Sequence, residues 1–193
     1  MPEISELLQK FRIGIAGCGG LGSNCAVSLA RCGIGELILA DFDVVSSSNL
    51  NRQYFFVSQI GEKKVNALRT NISNINPQVA VRIYDEKLTP DRLINIFKDC
   101  EILVEAVDRA ETKQMIIETW HSEFPEKFLV SGVGMAGWGS NDNLVTKRFG
   151  KLIICGDGVT EVSEQYPPLA PRVNIVSNMQ ANVVMELLLG KMK

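Results

Sequence analysis

Short apolar runs alternate with stretches of helical periodicity along most of the chain. The run at residues 37–40 contains no polar residue, which is typical of a strand covered on both faces. This alternation is the pattern of βαβ units, and it predicts an α/β fold with a Rossmann-like, doubly wound, mostly parallel sheet. The predicted strands are residues 12–16, 37–40, 79–84, 102–107 and 128–130, and the predicted helices are residues 21–32, residues 90–98, a segment marked by Val65, Leu68, Ile72 and Ile75, and a segment from Asp108 to about Trp120.

The pattern changes beyond Gly132, where glycines become frequent. Two short segments, residues 144–147 and 152–155, predict a hairpin that extends the sheet with antiparallel strands. Residues 157–172 contain three prolines, so we expect irregular structure there, followed by a helix at residues 173–189. The expected organisation is a single domain, residues 1–193, with a core at residues 12–135 and a hairpin, crossing loop and C-terminal helix at residues 143–193.

Composition narrows the class of protein. A chain of 193 residues is long enough to bury a sizeable core without disulfides or metal. Lys and Arg total 20 against 22 Asp and Glu, and this net charge of -2 creates no positive field for nucleic acid or an acidic membrane. The pattern shows no secretion signal and no apolar run near the roughly 18 residues of a membrane span. We therefore expect a cytoplasmic protein, and its five cysteines, without a CxxC pair, indicate reduced thiols.

A glycine motif directly follows the first predicted strand. Gly17, Gly19 and Gly22 satisfy GxGxxG between a strand and a helix, where glycines permit a tight turn and the helix N-terminus offers free N–H groups to phosphate. Asp41 lies 19 residues beyond Gly22 at the end of the second strand, where a carboxylate can accept hydrogen bonds from ribose. Together these features predict a nucleotide site in the core.

Two classes of enzyme fit the glycine motif and Asp41: a nicotinamide-dependent dehydrogenase and an enzyme that uses ATP. The dehydrogenase interpretation gives no role to the polar residues after the second strand, and we expect no second domain for its substrate. An ATP enzyme needs cations around the triphosphate and a carboxylate for magnesium. Arg52, Lys64 and Asp108 have these charges, and Asp108 ends a strand, so it should share the sheet edge with the glycine loop.

Three segments of this chain form a combined motif around the glycine loop. They are Gly17-Cys18-Gly19-Gly20-Leu21-Gly22, then Asp41-Phe42-Asp43-Val44-Val45 with Ser48-Asn49-Leu50-Asn51-Arg52-Gln53, and then Gly61-Glu62-Lys63-Lys64-Val65. Together these segments resemble the ThiF/MoeB/HesA superfamily of ubiquitin-activating-like enzymes. Asn76-Pro77 and the strand before Asp108 fit the same pattern, so the close resemblance covers about residues 12–135.

The resemblance implies an enzyme that binds ATP and Mg²⁺ and adenylates the C-terminal Gly-Gly carboxylate of a small ubiquitin-like carrier protein, with release of pyrophosphate. It implies that Asp41 holds the ribose, that Lys64 neutralises charge as the α-phosphate is attacked, and that Asp108 binds magnesium. The spacing from Gly61 favours Lys64 over Lys63 for this role. The implied nucleotide contacts are Gly17, Gly19, Gly20, Gly22, Asp41, Asp43, Asn49, Arg52, Gln53 and Lys64, and the implied catalytic residues are Arg52, Lys64 and Asp108.

The sequence departs from the family pattern in three respects. It lacks the two CxxC pairs that hold a structural zinc in larger relatives, so we expect no zinc. The first strand begins near Arg12, which leaves little room for the N-terminal arm that many relatives extend to the partner subunit's nucleotide. Cys155 is the only cysteine late in the chain, and we do not favour a covalent link to the carrier through it.

The carrier and pathway follow only from resemblance. The chain looks like the short ThiF-type branch that adenylates a ThiS-like sulfur carrier in thiamine biosynthesis. The alternatives are a MoeB-like adenylyltransferase for molybdopterin synthase, a tRNA-nucleoside dehydratase of the same superfamily, an NAD-dependent Rossmann oxidoreductase, and a nucleotide-sensing regulator. The tRNA alternative is less favoured because the chain has no basic surplus. Family members usually dimerise, so we expect a homodimer.

Overall fold

The computed structural model describes residues 2–190, which form seven strands in one sheet and six α-helices. The strands are β1 (Arg12–Ala16), β2 (Glu36–Ala40), β3 (Ala80–Tyr84), β4 (Ile102–Glu105), β5 (Phe128–Gly132), β6 (Val145–Phe149) and β7 (Leu152–Gly156). The helices are α1 (Pro2–Leu8), α2 (Gly20–Cys32), α3 (Lys64–Ile75), α4 (Pro90–Phe97), α5 (Ala110–Glu123) and α6 (Ala170–Gly190).

The strand order in the sheet is β3-β2-β1-β4-β5-β7-β6. β1 lies between β2 and β4 and is parallel to both, with Ile13 opposite Leu37 on one side and Ile102 on the other. The chain proceeds outward from β1 in one direction through β2 and β3, and then starts again at β4 in the other direction. The loops after β1 and β4 therefore leave in opposite directions, and they open a crevice at the carboxyl ends of these strands.

Helices cover both faces of the sheet. One hydrophobic core contains Leu29 of α2, Leu68 of α3 and Val184 of α6, all buried. The other core contains Phe97 of α4 and Trp120 of α5, also buried. Apolar runs such as β2 are therefore buried on both sides, which confirms the predicted doubly wound α/β fold. Within residues 2–190, no helix combines the length and the apolar character that a membrane span requires.

The C-terminal part differs in detail from the prediction. β7 pairs with β5 in parallel, so only β6, at the edge of the sheet, runs antiparallel to its neighbour. The expectation of irregular structure was wrong for residues 170–172, because α6 already begins at Ala170. Pro171 is compatible with this start, since proline lacks only an N–H that the first helical turn leaves unpaired. The helix α1 was not predicted.

Candidate active site

A cavity of about 450 Å³ lies at the carboxyl ends of β1, β2 and β4. It contains most of the residues that the sequence singled out, although they come from five separate parts of the chain. Gly22 and Asn49 do not line it. The predicted residues that do line it are Gly17, Gly19, Gly20, Asp41, Asp43, Arg52, Gln53, Lys64 and Asp108.

The glycine loop requires glycine at two positions for different reasons. Gly17 has a φ of 96°, which is a left-handed conformation that other residues rarely adopt. Gly22 stands against the loop itself, since a Cβ atom there would lie 1.8 Å from the Gly17 carbonyl oxygen. Gly22 thus allows α2 to start close to β1, whereas Gly19 and Gly20 present backbone to the cavity.

Asp41 joins the glycine loop to the end of β2. Its Oδ2 atom accepts a hydrogen bond of 2.6 Å from the Cys18 N–H, and its Oδ1 atom accepts one of 2.7 Å from the Asp43 N–H. Burial raises the pKa of Asp41 above its ordinary value, although these hydrogen bonds and the charge of Lys64 oppose the shift. Each carboxylate oxygen keeps a lone pair for a further donor, so Asp41 is suited to ribose hydroxyls.

The structure separates the two neighbouring lysines. Lys64, at the start of α3, is buried and lines the cavity, and its Nζ atom lies 2.8 Å from Asp43 Oδ2. Lys63 does not line the cavity, and its Nζ atom lies 3.1 Å from Asp85 Oδ1. An ammonium group has three donors, so Lys64 retains donors for a ligand while it is paired with Asp43.

Arg52 and Gln53 line the cavity and lie just after a 3₁₀ turn, Ser47–Asn49. The Asn49 carbonyl accepts hydrogen bonds from both of their backbone N–H groups, at 3.1 and 2.9 Å, and the Asn49 side chain accepts from Ser46 N–H. Asn49 therefore shapes the turn. Gln53 lines the cavity, and its Oε1 atom is buried without a hydrogen-bond partner among the described residues.

The guanidinium of Arg52 is held by neutral groups. Its Nη1 atom donates to the Ser48 carbonyl at 3.0 Å and to Asn51 Oδ1 at 2.7 Å. No carboxylate of residues 4–190 pairs with Arg52, so none of these side chains neutralises its positive charge. A polyanion in this cavity would meet Arg52 and the partly neutralised Lys64 at its phosphate groups.

Asp108 follows β4 and is exposed at the cavity, while a buried network supports the turn before it. Glu105 is fully buried, and its Oε1 atom accepts a hydrogen bond of 2.9 Å from the Val107 N–H. Its Oε2 atom pairs with Lys113 and accepts a 2.6 Å hydrogen bond from Ser131. Sequence analysis missed this network, although a carboxylate inside the apolar run at residues 102–107 was a signal.

Both acidic and basic side chains line the cavity, and the acidic ones are the candidate ligands for a metal ion. No group of three or more His, Cys, Asp or Glu side chains that could bind a metal occurs in the described part of the chain. Asp108 by itself does not provide enough ligands for Mg²⁺. This ion usually binds one or two carboxylates and completes its ligands with substrate phosphates and water. The donor set therefore fits magnesium only if a nucleotide supplies further oxygen ligands.

The cysteines show no sign of activation as nucleophiles. Cys155 is fully buried in β7, and burial raises its pKa to about 11. Burial likewise raises the pKa of Cys18 in the glycine loop and the pKa of Cys25 in α2. Since the thiolate is the reactive form, these residues act in packing in this conformation.

Comparison with known proteins gives a consistent family signal. The model of the ThiF family matches residues 2–193. Ubiquitin-like modifier-activating enzyme 5 of Gallus gallus is 33% identical over 182 residues, which are 88% of this chain and 43% of that protein. The probable adenylyltransferase/sulfurtransferase MoeZ of Mycobacterium tuberculosis is 34% identical over 110 residues, which are 56% of this chain and 28% of MoeZ. This chain thus spans less than half the length of these relatives.

Solved structures show the same fold. The E. coli tRNA N6-threonylcarbamoyladenosine dehydratase in complex with AMP superposes with a TM-score of 0.85 at 21% identity, covering 98% of this chain and 90% of that one. The same enzyme in complex with ATP gives a TM-score of 0.84 at 22% identity, with the same coverage. At this level of identity the likeness concerns the fold alone.

Proposed function

This chain belongs to the ThiF family, and from that premise we propose that it is an ATP-dependent adenylyltransferase acting on the C-terminal Gly-Gly carboxylate of a small ubiquitin-like carrier protein. The carboxylate oxygen forms a bond to the α-phosphorus, the bond from that phosphorus to the β-phosphate oxygen breaks, and pyrophosphate leaves. The observation that carries the proposal is the cavity itself, because Asp41, Arg52, Lys64 and Asp108 all line it beside one glycine loop.

In this proposal the nucleotide lies along the carboxyl ends of β1 and β2. Asp41 accepts hydrogen bonds from the ribose hydroxyls, and the backbone of Gly19 and Gly20 lies against the phosphates at the start of α2. Gln53 contributes its buried amide to the same region, since an added Cβ at Gly19 would lie 3.8 Å from Gln53 Nε2.

Arg52 and Lys64 lower the cost of bringing two anions together. A carboxylate that approaches a triphosphate is repelled, and a fixed cation about 4 Å from the reacting charge offsets about 4 kcal/mol at an effective dielectric constant of about 20. Lys64 suits this task because it is buried and its position is fixed by Asp43. Preorganised charges of this kind need no rearrangement when the reaction occurs.

Asp108 is the residue that would bind Mg²⁺, with phosphate oxygens of ATP and water completing the ligands. The metal would supply charge neutralisation at the phosphates. The turn at Val107 orients Asp108 toward the cavity, and the buried carboxylate of Glu105 holds that turn through the Val107 N–H.

The partner that we propose is a small carrier protein. The names of the relatives support a ubiquitin-like or sulfur-carrier partner, since one is a ubiquitin-like modifier-activating enzyme and another an adenylyltransferase/sulfurtransferase. We favour a ThiS-like carrier of thiamine biosynthesis, a cytoplasmic location and a homodimer, with residues 12–135 as the nucleotide-binding core. Light scattering tests the dimer, and a stable monomer would contradict that part.

The second candidate is a tRNA-nucleoside dehydratase, which the fold of the E. coli enzyme favours. The same adenylation site would then activate a carboxylate on tRNA. The net charge of -2 counts against it, because tRNA binding draws on a surplus of Lys and Arg.

One experiment separates these candidates. The protein is incubated with ATP, Mg²⁺ and each member of a panel of carriers ending in Gly-Gly, and carrier-AMP is detected by mass spectrometry; unmodified and threonylcarbamoylated tRNA form parallel arms. A carrier ending in Gly-Ala serves as the matched control substrate. The proposal predicts AMP adducts on at least one Gly-Gly carrier only. Conversion of tRNA alone, or tight NAD binding without any adduct, would contradict it.

A further inference from the structure

Residues 157–169 form a crossing segment that connects β7 to α6 and whose two flanks are joined by a buried ion pair. Asp157 comes directly after β7, and Arg172 lies in the first turn of α6. Arg172 Nη2 lies 2.6 Å from Asp157 Oδ2, and each side chain is only 5% exposed. The pair therefore closes the crossing segment into a loop at its base.

The same ion pair attaches the crossing segment to the glycine-rich loop after β5. Asp157 Oδ1 accepts hydrogen bonds of 2.9 Å from the N–H groups of Val159 and Thr160. This oxygen also lies against the backbone of Gly134, where a Cβ atom would be 1.8 Å away. Arg172 donates a hydrogen bond to the Gly139 carbonyl. Asp157 thus bonds within the crossing segment and lies against the loop after β5, and Arg172 bonds to that same loop.

The crossing segment separates two cavities. Val162 and Pro168 line the nucleotide cavity on one side. On the other side, Tyr166 and Arg172 line a second cavity of about 420 Å³. The segment is held in this position by a hydrogen bond of 3.0 Å from the Gly137 N–H to the Pro167 carbonyl and by the rings of Trp138 and Tyr166, whose centroids are 5.9 Å apart.

Asn51 connects the crossing segment to the guanidinium of Arg52. Its Nδ2 atom donates to the Pro168 carbonyl at 3.4 Å, and its Oδ1 atom accepts from Arg52 Nη1 at 2.7 Å. One amide thus contacts both the segment and the cation that faces the cavity. Since no carboxylate of residues 4–190 pairs with Arg52, this amide and the Ser48 carbonyl orient its guanidinium.

From these contacts we infer that Asp157, Arg172 and Asn51 are positioning residues: the ion pair holds the crossing segment, and the segment holds Arg52 at the nucleotide through Asn51. The inference rests on the proposed function, in which Arg52 binds phosphate. A buried ion pair adds little net stability compared with apolar residues of the same size, so here its effect is on the conformation of the segment.

The test uses variants that avoid leaving one buried charge alone. Asp157→Asn combined with Arg172→Met removes both charges, while the asparagine oxygen still accepts from the backbone N–H groups. Asn51→Ala removes the connection to Arg52 at an exposed site, so it tests the inference even if the double variant fails to fold. Asn74→Ala, in an exposed part of α3, is the matched control.

The first readout is the affinity for ATP with Mg²⁺, measured by calorimetry. We expect Asn51→Ala and the double variant each to weaken ATP binding about three- to tenfold, which is the size of effect that one lost hydrogen bond of ordinary strength produces. Asn51→Gln should bind ATP with an affinity within about twofold of wild type. The glutamine amide can still donate and accept a hydrogen bond, and the exposed site has room for the longer side chain. In an Arg52→Ala background neither change should weaken binding further, since coupled residues are not additive. Unchanged affinity, or effects that add in that background, would overturn the inference.

The second readout follows the crossing segment itself. Hydrogen exchange across residues 158–169 should accelerate in the double variant while exchange in β1 and β2 is unchanged. Acrylamide should quench the fluorescence of Trp138, which is 63% exposed, more strongly in the double variant than in wild type. The fluorescence of Trp120 should be unaffected, because this residue is fully buried. Equal exchange in the two proteins would contradict the role of the ion pair. If the wild-type protein binds ATP but adenylates no carrier, the proposed function is refuted, and both readouts still test the role of the ion pair. If the wild-type protein binds no ATP, hydrogen exchange alone tests whether the ion pair holds the crossing segment.

Discussion

Replacing Lys64 with methionine removes one buried positive charge from the nucleotide cavity while keeping a side chain of similar length. Its Nζ atom lies 2.8 Å from Asp43, and the lysine side chain is 7% exposed whereas that of Asp43 is 50% exposed. Asp43 can therefore hydrate its charge when the lysine is removed. We expect the free energy of unfolding to change by about 1 kcal/mol or less, as for other partly exposed ion pairs.

The reaction should respond much more strongly than the stability. A cation about 4 Å from the reacting phosphate contributes about 4 kcal/mol at an effective dielectric constant of about 20, which corresponds to about 10³ in rate. Solvent at the half-exposed Asp43 beside Lys64 weakens this electrostatic contribution. We therefore expect Lys64→Met to reduce carrier-dependent ATP-pyrophosphate exchange by about 10² to 10³.

Lys63→Met provides the matched control, because Lys63 neighbours Lys64 in sequence but pairs with Asp85 outside the cavity. This variant should keep exchange within about twofold of wild type, since exposed ion pairs contribute little. Exchange and thermal unfolding are measured for both variants. Lys64→Met with nearly normal exchange, or an equal loss in Lys63→Met, would refute the reasoning from burial and charge.

Three further predictions follow from the site and its surroundings. Asp108→Ala should abolish ATP-pyrophosphate exchange at any magnesium concentration tested while the protein stays folded, and activity in this variant would rule out the assignment of Asp108 to magnesium. The control is Asp99→Ala, at an exposed position outside the cavity, which should have no effect. Gly22→Ala should lower stability by about 2 kcal/mol and abolish ATP binding, because the added Cβ would lie 1.8 Å from a backbone oxygen of the glycine loop; a normal melting temperature would refute this. Iodoacetamide at pH 8 should alkylate the exposed Cys32 first and leave Cys155 unmodified in the folded protein, since burial raises the Cys155 pKa to about 11; mass spectrometry before and after unfolding checks this, and rapid alkylation of Cys155 would contradict it.

The amino-acid sequence by itself determined most of the elements and their layers, although α1 was not predicted. The uninterrupted apolar run of β2 required cover on both faces, and the helical periodicity of residues 64–75 provided one such cover. The glycines before α2 and the acids after β2 and β4 are local signals, because parallel strands bring their carboxyl ends to one edge. This is why most of the predicted site residues line one cavity.

The tertiary structure alone decided which residues meet across long stretches of chain. Glu105 contacts Ser131 because β4 and β5 are neighbours in the sheet, and the sequence near either residue contains no sign of the other. Likewise, Asp157 and Arg172 pair because α6 begins beside the end of β7. The path of the backbone also determines that the Asn49 side chain bonds to Ser46 N–H within its own turn, whereas Gln53 lines the cavity. Periodicity reports which face of an element is buried, but contact partners depend on the arrangement of the whole sheet.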